Sequence, residues 1–574
     1  MATTADSATK MAWTSDALAA LLRDMDFKYV ALNPGASYRG LHDSIVNFLG
    51  NTNPEMLLCL HEEHAIALAH GYAKVTNTPL LCAVHSQVGL MHATMALFVA
   101  WVDRTPMVVI GANGPLDAAK RRPFRDWVHS TADNGALIRH YTKWDDQPHS
   151  VEAALVSLLR ANQIARSVPH GPTYVAFDVE MQEQPLAEPL PIPDLARYAP
   201  PQPPVPPPAD VARVAQLLRA AKKPVIMVGR VSRSVSGWNE RIALAEALGA
   251  RVITDPKVGA GFPTDHPLHV SPPGTNLSPP AVAALTSADV VLSLDFLDLG
   301  GELRRAYAAQ PPSAQIISVS LDQYLHNGWS YDYQELPAVD LNLSGDPDTF
   351  VPLLLRELGA TVPAKPSYTP VKRPPAPPAD GERITMARFS RIVADVFAEH
   401  ETCYIRLKTS KDHPFEFRHP LDYLGGSTGV GIGPGIAVGA ALALRGSGRL
   451  PVVVLGDGDF LMGGTAFWTA VANCIPLLVI VANNRSFYND EVHQEHVARH
   501  RGRPVERKWI GQRIDDPPPD VAGFARVQGG VGIGPVTRAS EIPAALAQAI
   551  ADVRAGKLCV VDVIVEPEAA DGRG

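Results

Sequence analysis

The chain has 574 residues, enough for roughly three or four domains with ample core. It is 46% apolar and 19% charged, an ordinary globular balance, and its net charge of −8 without long like-charge runs argues against nucleic acid or an anionic membrane surface as partner. No apolar stretch approaches the roughly 18 residues that span a bilayer, and the first residues lack a basic region followed by an apolar one.

Five scattered cysteines without a CxxC pair read as buried free thiols in a reducing compartment, so a cytoplasmic protein is expected. The 52 prolines cluster in two segments, 183–208 and 363–378, which read as extended linkers. They divide the chain into 1–185, 205–360 and 380–574, each of domain size.

In the first piece the spacing predicts a helix over 15–25 and a strand over 29–32 that ends in the turn Asn33-Pro34-Gly35-Ala36. Strands over 56–60, 80–84 and 106–111 alternate with helices over 61–75 and 88–102. Such alternation predicts a parallel, doubly wound α/β sheet. His61-Glu62-Glu63-His64 opens the second helix. A zinc-protease pattern needs histidines at i and i+4, and position 65 is Ala, which argues against a metal there. Glu62 itself is either an acid favoured at a helix start or a functional carboxylate. His85-Ser86 closes the 80–84 strand, and in the loop Arg125-Asp126-Trp127-Val128-His129 the residues Trp127 and His129 read mainly as loop and packing residues, with lining of the same pocket as His85 as the other reading.

The middle piece repeats the pattern, with helices over 209–221 and 238–248 and strands over 224–228, 252–253, 290–294 and 316–319. No G-x-G-x-x-G follows a strand anywhere in the chain, which disfavours an NAD-dependent dehydrogenase.

The last piece holds a strand over 402–406 followed by Lys408-Thr409-Ser410, then the glycine-rich run 425–442 leading into a small-residue helix. Next come a β-branched strand over 452–455, the turn Gly456-Asp457-Gly458, a crossover helix over 460–472, and a strand over 475–482 ended by Asn483-Asn484. A strand–helix–strand unit of this kind crosses over right-handed with parallel strands. Asp457 and Asn484 then stand at the carboxyl ends of two strands, where open α/β sheets bind ligands. Glycines at 456 and 458 let backbone approach a bulky anion. A carboxylate and an amide oxygen are hard ligands that suit Mg²⁺ holding a phosphate ester. Asp459, a second carboxylate in this turn, has no account at this level. Segment 485–519, rich in His and Arg, reads as a solvated loop or interface, with a lid over an anionic substrate as the other reading.

Gly-Asp-Gly with Asn 27 positions after the Asp, in its strand context, resembles the diphosphate anchor of thiamine diphosphate (ThDP) decarboxylases and carboligases. LHEEHAIALAHGYAK resembles the segment that carries the activating glutamate of that family. Three doubly wound α/β domains are implied: pyrimidine-binding, middle and diphosphate-binding. Mg²⁺ is then held by Asp457, Asn484 and the main-chain carbonyl of Ser486. Thr409 and Ser410 are placed at the diphosphate, with Gly456 and Gly458, and Val430 is the aliphatic wedge under the cofactor. Counting back from Gly71-Tyr72-Ala73 selects Glu62 over Glu63 as the partner of N1′ of the aminopyrimidine. Its carboxyl shares a proton with a ring nitrogen, which an apolar pocket favours. Ala83-Val84-His85-Ser86 looks like the Leu-His-Ser of benzoylformate decarboxylase, so His85 is either a proton shuttle or a cap on the following helix. Ala36 stands where benzoylformate decarboxylase has Ser. Segment 269–274 does not resemble the FAD loop of acetolactate synthase, so the middle domain reads as an empty scaffold without FAD.

The resemblance implies a ThDP- and Mg²⁺-dependent lyase or carboligase that works on 2-oxo acids, aldehydes or acyloins through a C2 carbanion and an enamine. Joining of two 2-oxo acids, as in acetolactate synthase, is the alternative. A catalytically silent scaffold is opposed by the joint presence of Glu62, Asp457 and Asn484. Glu62 and Asp457 meet across a subunit interface in this family, so a homodimer is the implied minimum and a homotetramer the expected assembly, with neither membrane nor nucleic acid as partner.

Overall fold

The computed structural model describes residues 10–255, 257–270, 277–324, 336–371, 381–410, 415–426 and 429–567. Residues 271–274 of the segment compared with the FAD loop, 372–378 of the second proline-rich segment and 427–428 of the glycine-rich run lie outside these. The chain forms two compact units, 1–202 and 203–574.

The first unit is built on one six-stranded parallel sheet. In chain order its strands are β1 (Tyr29–Leu32), β2 (Glu55–Leu58), β3 (Leu80–Ala83), β4 (Met107–Asn113), β5 (Trp144–Asp146) and β6 (Pro172–Asp178). They lie in the order β2-β1-β3-β4-β6-β5. After β1 the chain first adds β2 on one side and then β3 on the other. The loops that leave β1 and β3 therefore diverge at the carboxyl edge, where such sheets open a crevice. β4 and β6 are apolar on both faces, as a sheet covered on both sides demands.

The second unit carries two five-stranded parallel sheets. One contains β7 (Pro224–Val228), β8 (Arg251–Thr254), β9 (Val290–Leu294), β10 (Gln315–Ser320) and β11 (Leu341–Ser344), in the order β11-β10-β9-β7-β8. The other contains β12 (Thr402–Leu407), β13 (Leu450–Gly456), β14 (Leu477–Asn483), β15 (Val531–Val536) and β16 (Leu558–Ile564), in the order β12-β13-β14-β16-β15. Every strand pair in the three sheets is parallel, as the alternation of strand and helix predicts. Arg418 Nε donates to Asp265 Oδ2 at 2.6 Å, one of the polar links between the two sheets' surroundings.

Three expectations need correction. The helix over 460–472 is two helices, Asp457–Gly463 and Ala466–Ala472. A Cβ on Gly463 would fall 1.8 Å from the Gly431 carbonyl oxygen, so the glycine-rich run lies directly against this turn. Adjacent glycines at 463 and 464 weaken a helix at that point. The two pieces are still fixed by Phe460 and Phe467, both fully buried with ring centroids 5.6 Å apart; each contributes about 2–3 kcal/mol of transfer free energy. Segment 485–519 is not simply a loop, for Tyr488–His500 is an α-helix. It is polar on nearly every face, so it shows no apolar stripe to detect. Cys474 is exposed, whereas the other four cysteines are buried.

Candidate active site

The sheet of β1–β6 brings two sequence-predicted residues, Glu62 and His85, to its carboxyl edge. Glu62 is the first residue of helix Glu62–Thr76, whose N-cap, His61, accepts from Glu63 N at 3.2 Å. Its side chain is turned inward and buried, while Glu63 is half-buried. Gly89, on helix Ser86–Val102, leaves the room, because a Cβ there would stand 2.8 Å from Glu62 Oε1. The other carboxylate oxygen, Oε2, lies 3.0 Å from His92 Nδ1. Tyr38, buried nearby, is held above the ordinary phenol range by burial and by the Glu62 charge.

His85 stands at the N-cap position of helix Ser86–Val102, yet its side chain makes no capping bond. Its Nδ1 is 2.8 Å from Ser37 Oγ instead, and its ring centroid is 4.6 Å from that of His129. The capping reading is therefore set aside. Burial and the neighbouring His129 lower the His85 pKa, against the raising effect of the Glu62 charge, which favours the neutral ring overall. Ser86, with φ of 47°, occupies a left-handed conformation that is uncommon for a non-glycine residue. Two bonds hold it there: its N–H donates to Ser37 Oγ at 3.1 Å and its hydroxyl to the His129 carbonyl at 2.9 Å.

Ser37 was not singled out from the sequence. The resemblance points to Ala36, but the turn Ala36–Tyr38 is a 3₁₀ helix that buries Ser37 and exposes Ala36. The hydroxyl is thus supplied one position later, a signal present in the sequence as the next residue. The loop also borders a cavity of about 520 Å³ lined by Pro34, Gly35, Ala36, Arg39, His42 and Val46. Of the two residues singled out in the 125–129 loop, His129 meets His85, whereas Trp127 is 78% exposed and packs little.

In the second unit, β13 and β14 are neighbours, with Gly456 opposite Ala482. Asp457 opens the helix after β13 and Asn484 follows β14. Ser486 N–H points at both, 3.0 Å from Asp457 Oδ2 and 3.1 Å from Asn484 Oδ1. Asp457, Asn484 and Ser486 thus share one corner. Burial pushes the Asp457 carboxyl up to about 6, and the Asp562 charge adds to this, against the lowering effect of the N–H groups of 457, 458 and 486. No ion pair to Asp457 exists among the described residues. A buried carboxylate beside an amide oxygen, without a protein cation, fits a hard divalent ion.

Beside Gly456 there is open space, whereas the place of a Cβ on Gly458 is filled by the ring of Phe487, 2.5 Å away. Val430 is 46% exposed between Gly429 and Gly431, both at positive φ. After β12, the hydroxyls of Thr409 and Ser410 are buried without a hydrogen-bond partner among the described residues. Buried hydroxyls of that kind suit a bound oxyanion. These features fit a diphosphate held at this edge. Glu491 was also missed: it is fully buried, and its Oε1 accepts from Ser486 Oγ at 2.6 Å and from Arg513 Nε at 3.2 Å. It ties helix Tyr488–His500 to the Asp457 corner.

Asp459 now has an account. Its Oδ1 accepts from Gly431 N at 2.7 Å and its Oδ2 lies 2.8 Å from Arg406 Nη1. The second carboxylate is paired and faces the glycine-rich run.

Residues 12–137 match the family model of the thiamine pyrophosphate enzyme N-terminal TPP-binding domain, residues 211–351 that of the central domain and residues 408–563 that of the C-terminal TPP-binding domain. A benzoylformate decarboxylase of Pseudomonas aeruginosa is 24% identical over 446 residues, covering 75% of this chain and 79% of its own. A probable acetolactate synthase large subunit of Methanocaldococcus jannaschii is 25% identical over 456 residues, covering 75% of this chain and 74% of its own. The crystal structure of benzoylformate decarboxylase from Polynucleobacter necessarius superposes with a TM-score of 0.79 at 20% identity, over 97% of this chain and 99% of that one, a likeness of fold. No helix among the described residues is long and apolar enough to cross a membrane. With all three domain models matched in order on three parallel α/β sheets, the chain belongs to the thiamine diphosphate-dependent decarboxylase/carboligase family of enzymes.

Proposed function

We propose that the chain is a ThDP- and Mg²⁺-dependent lyase or carboligase acting on 2-oxo acids or acyloins in the manner of benzoylformate decarboxylase. The observation that carries the reading is the Ser37–His85 pair, 2.8 Å apart at the crevice of the sheet whose edge also presents Glu62. Asp457, Asn484 and the Ser486 carbonyl hold the Mg²⁺, and Thr409 and Ser410 donate to the diphosphate. Gly456 and Val430 shape the cofactor's bed, and Gly458 makes room there for the Phe487 ring. Bound ThDP would supply a nucleophilic C2 and a cationic thiazolium ring that takes up the electrons released when a 2-oxo acid loses CO₂. Glu62 holds a proton at the pyrimidine N1′. His85, neutral and oriented by Ser37, passes a proton through Nε2 to or from the substrate. Glu62 and Asp457 belong to different units, and the working assembly is at least a homodimer, with a homotetramer as its fuller form.

A second reading, acetolactate synthase-like joining of two 2-oxo acids, draws on the acetolactate synthase-named relative. The test is CO₂ release from a panel of aliphatic and aryl 2-oxo acids with ThDP and Mg²⁺, with acyloin formation and cleavage scored in parallel. CO₂ with aldehyde as the product supports the first reading, and CO₂ with a 2-hydroxy-3-oxo acid product the second. Glu62→Gln should lower kcat by about 10²–10⁴-fold while cofactor still binds; full activity in that variant would overturn both.

A further inference from the structure

We propose that His61, Glu62 and His92 form a chelating site for a zinc-class divalent cation, and that this cation and the cofactor exclude one another. One ligand atom from each of the three residues lies within 4.8 Å of the other two. Glu62 Oε2 and His92 Nδ1 are 3.0 Å apart, close to the edge between two ligands of one small cation. The His61 and His92 rings stack with centroids 4.7 Å apart and planes 20° from parallel.

The fold explains the convergence. His61 and Glu62 are the N-cap and first residue of one helix, and His92 lies in the second turn of helix Ser86–Val102, which packs alongside. His61-Glu62 thus finds its third ligand not four residues later but 30 residues on, across the helix pair. Two imidazoles and one carboxylate are the donor set of three-ligand zinc sites with an open fourth position. Imidazole selects zinc, nickel or copper over Mg²⁺, so this is not a second copy of the Asp457 corner. In the single chain His92 is 58% exposed while Glu62 is buried. Next to His61, ring centroids 5.5 Å apart, the buried His64 has an Nδ1 with no hydrogen-bond partner among the described residues. Ligation costs His61 its long 3.2 Å bond from Glu63 N, since a cation on Nε2 fixes the proton on Nδ1.

The exclusion half rests on the reading of Glu62 given above. A cation on the carboxylate takes the oxygen that the aminopyrimidine N1′ needs. Zinc would then act on the cofactor-free chain and be displaced as ThDP and Mg²⁺ load.

The test uses the full-length chain, stripped of cofactor and metal by a chelator. Co²⁺ is titrated as a spectroscopic probe and Zn²⁺ by calorimetry, in the parent and in the His92→Ala, His61→Ala and His92→Gln variants, each checked for folding by circular dichroism. Expected is one equivalent bound with a ligand-field band of low-symmetry Co²⁺, weakened at least about 10-fold in each variant. Absence of one-equivalent binding, or binding equal in parent and variants, overturns the site. ThDP with Mg²⁺ should release the Zn²⁺. Zinc that stays bound while the cofactor loads overturns the exclusion and leaves the site standing. An active Glu62→Gln variant would overturn the catalytic reading of Glu62 instead, and the two failures are read in separate experiments.

Discussion

Arg406 Nη1 stands 2.8 Å from Asp459 Oδ2, and the two side chains together pin the glycine-rich run: Arg406 Nη2 donates to the Gly429 carbonyl at 3.1 Å and Asp459 Oδ1 accepts from Gly431 N. The Nη1 contact is close but not aligned as a hydrogen bond, so charge attraction rather than a directed bond joins the pair. Val430 lies between the two pinned glycines. The pair therefore sets where Val430, the proposed wedge, stands.

Asp459→Ala removes one partner of a largely buried pair and leaves Arg406 and Gly431 N without it. Breaking such a pair costs about 3–5 kcal/mol when fully buried. Arg406 is 21% exposed, so about 1–3 kcal/mol is expected, seen as a lower thermal midpoint. ThDP affinity should fall with it. Asp459→Asn keeps an acceptor for Gly431 N and should lose less. Equal midpoints for Ala and parent would show that the run is held by other contacts.

Asp457 gives a pH dependence whose sign is fixed. Its folded-state pKa, raised by burial to about 6, exceeds the unfolded value. The folded chain therefore favours the protonated form. Without metal, stability falls as pH rises through the interval between the ordinary carboxylate range and about 6, and the penalty is complete above that. Two pKa units are on the order of 3 kcal/mol. Asp457→Asn should raise the thermal midpoint of the metal-free, cofactor-free chain near neutral pH and leave it unchanged in acid. The same change should weaken ThDP and Mg²⁺ binding. A variant no more stable than the parent at neutral pH would show that the carboxylate is well solvated.

The strands were legible because β-branched runs end at Gly, Asn or His, and β1, β7 and β9 have the bounds the spacing predicts. Asp457 and Asn484 could be read because a two-strand unit fixes their separation. What could not be read depends on contacts distant in sequence. His92 reaches Glu62 across 30 residues, and Gly463 is needed by a carbonyl at 431. Ser37 was one residue from the position inspected, and only the 3₁₀ turn decides which of Ala36 and Ser37 faces inward. Helix Tyr488–His500 rests on a buried carboxylate, Glu491, rather than on an apolar face, so hydrophobic periodicity is silent about it.

Ser37→Ala should leave His85 Nδ1 without its hydroxyl partner and Ser86 N without its acceptor. The fold should survive, because the turn Ala36–Tyr38 does not depend on the hydroxyl. kcat should fall by about 10-fold, at the low end of what an oriented proton carrier contributes, and the pH–rate profile should move as His85 loses its fixed tautomer. KM should change little. Unchanged kcat and pH profile would mean that the pair is structural only.

Gly35 tests the same ring by sterics alone. Its φ of −149° is extended, so alanine meets no backbone strain. A Cβ there would fall 2.4 Å from His85 Cβ and 2.6 Å from Nδ1, well inside contact distance, so the imidazole and the backbone that carries it must both move. Rotation about Cα–Cβ clears the ring but leaves His85 Cβ in place, so the backbone at 35 or 85 has to shift as well. Gly35→Ala should therefore lower the thermal midpoint, and activity should fall to about the level of His85→Ala. The double variant should lose no more than either single one, because both remove the same side chain from the same place. Additive losses would mean that Gly35 serves something other than His85, such as the neighbouring cavity wall.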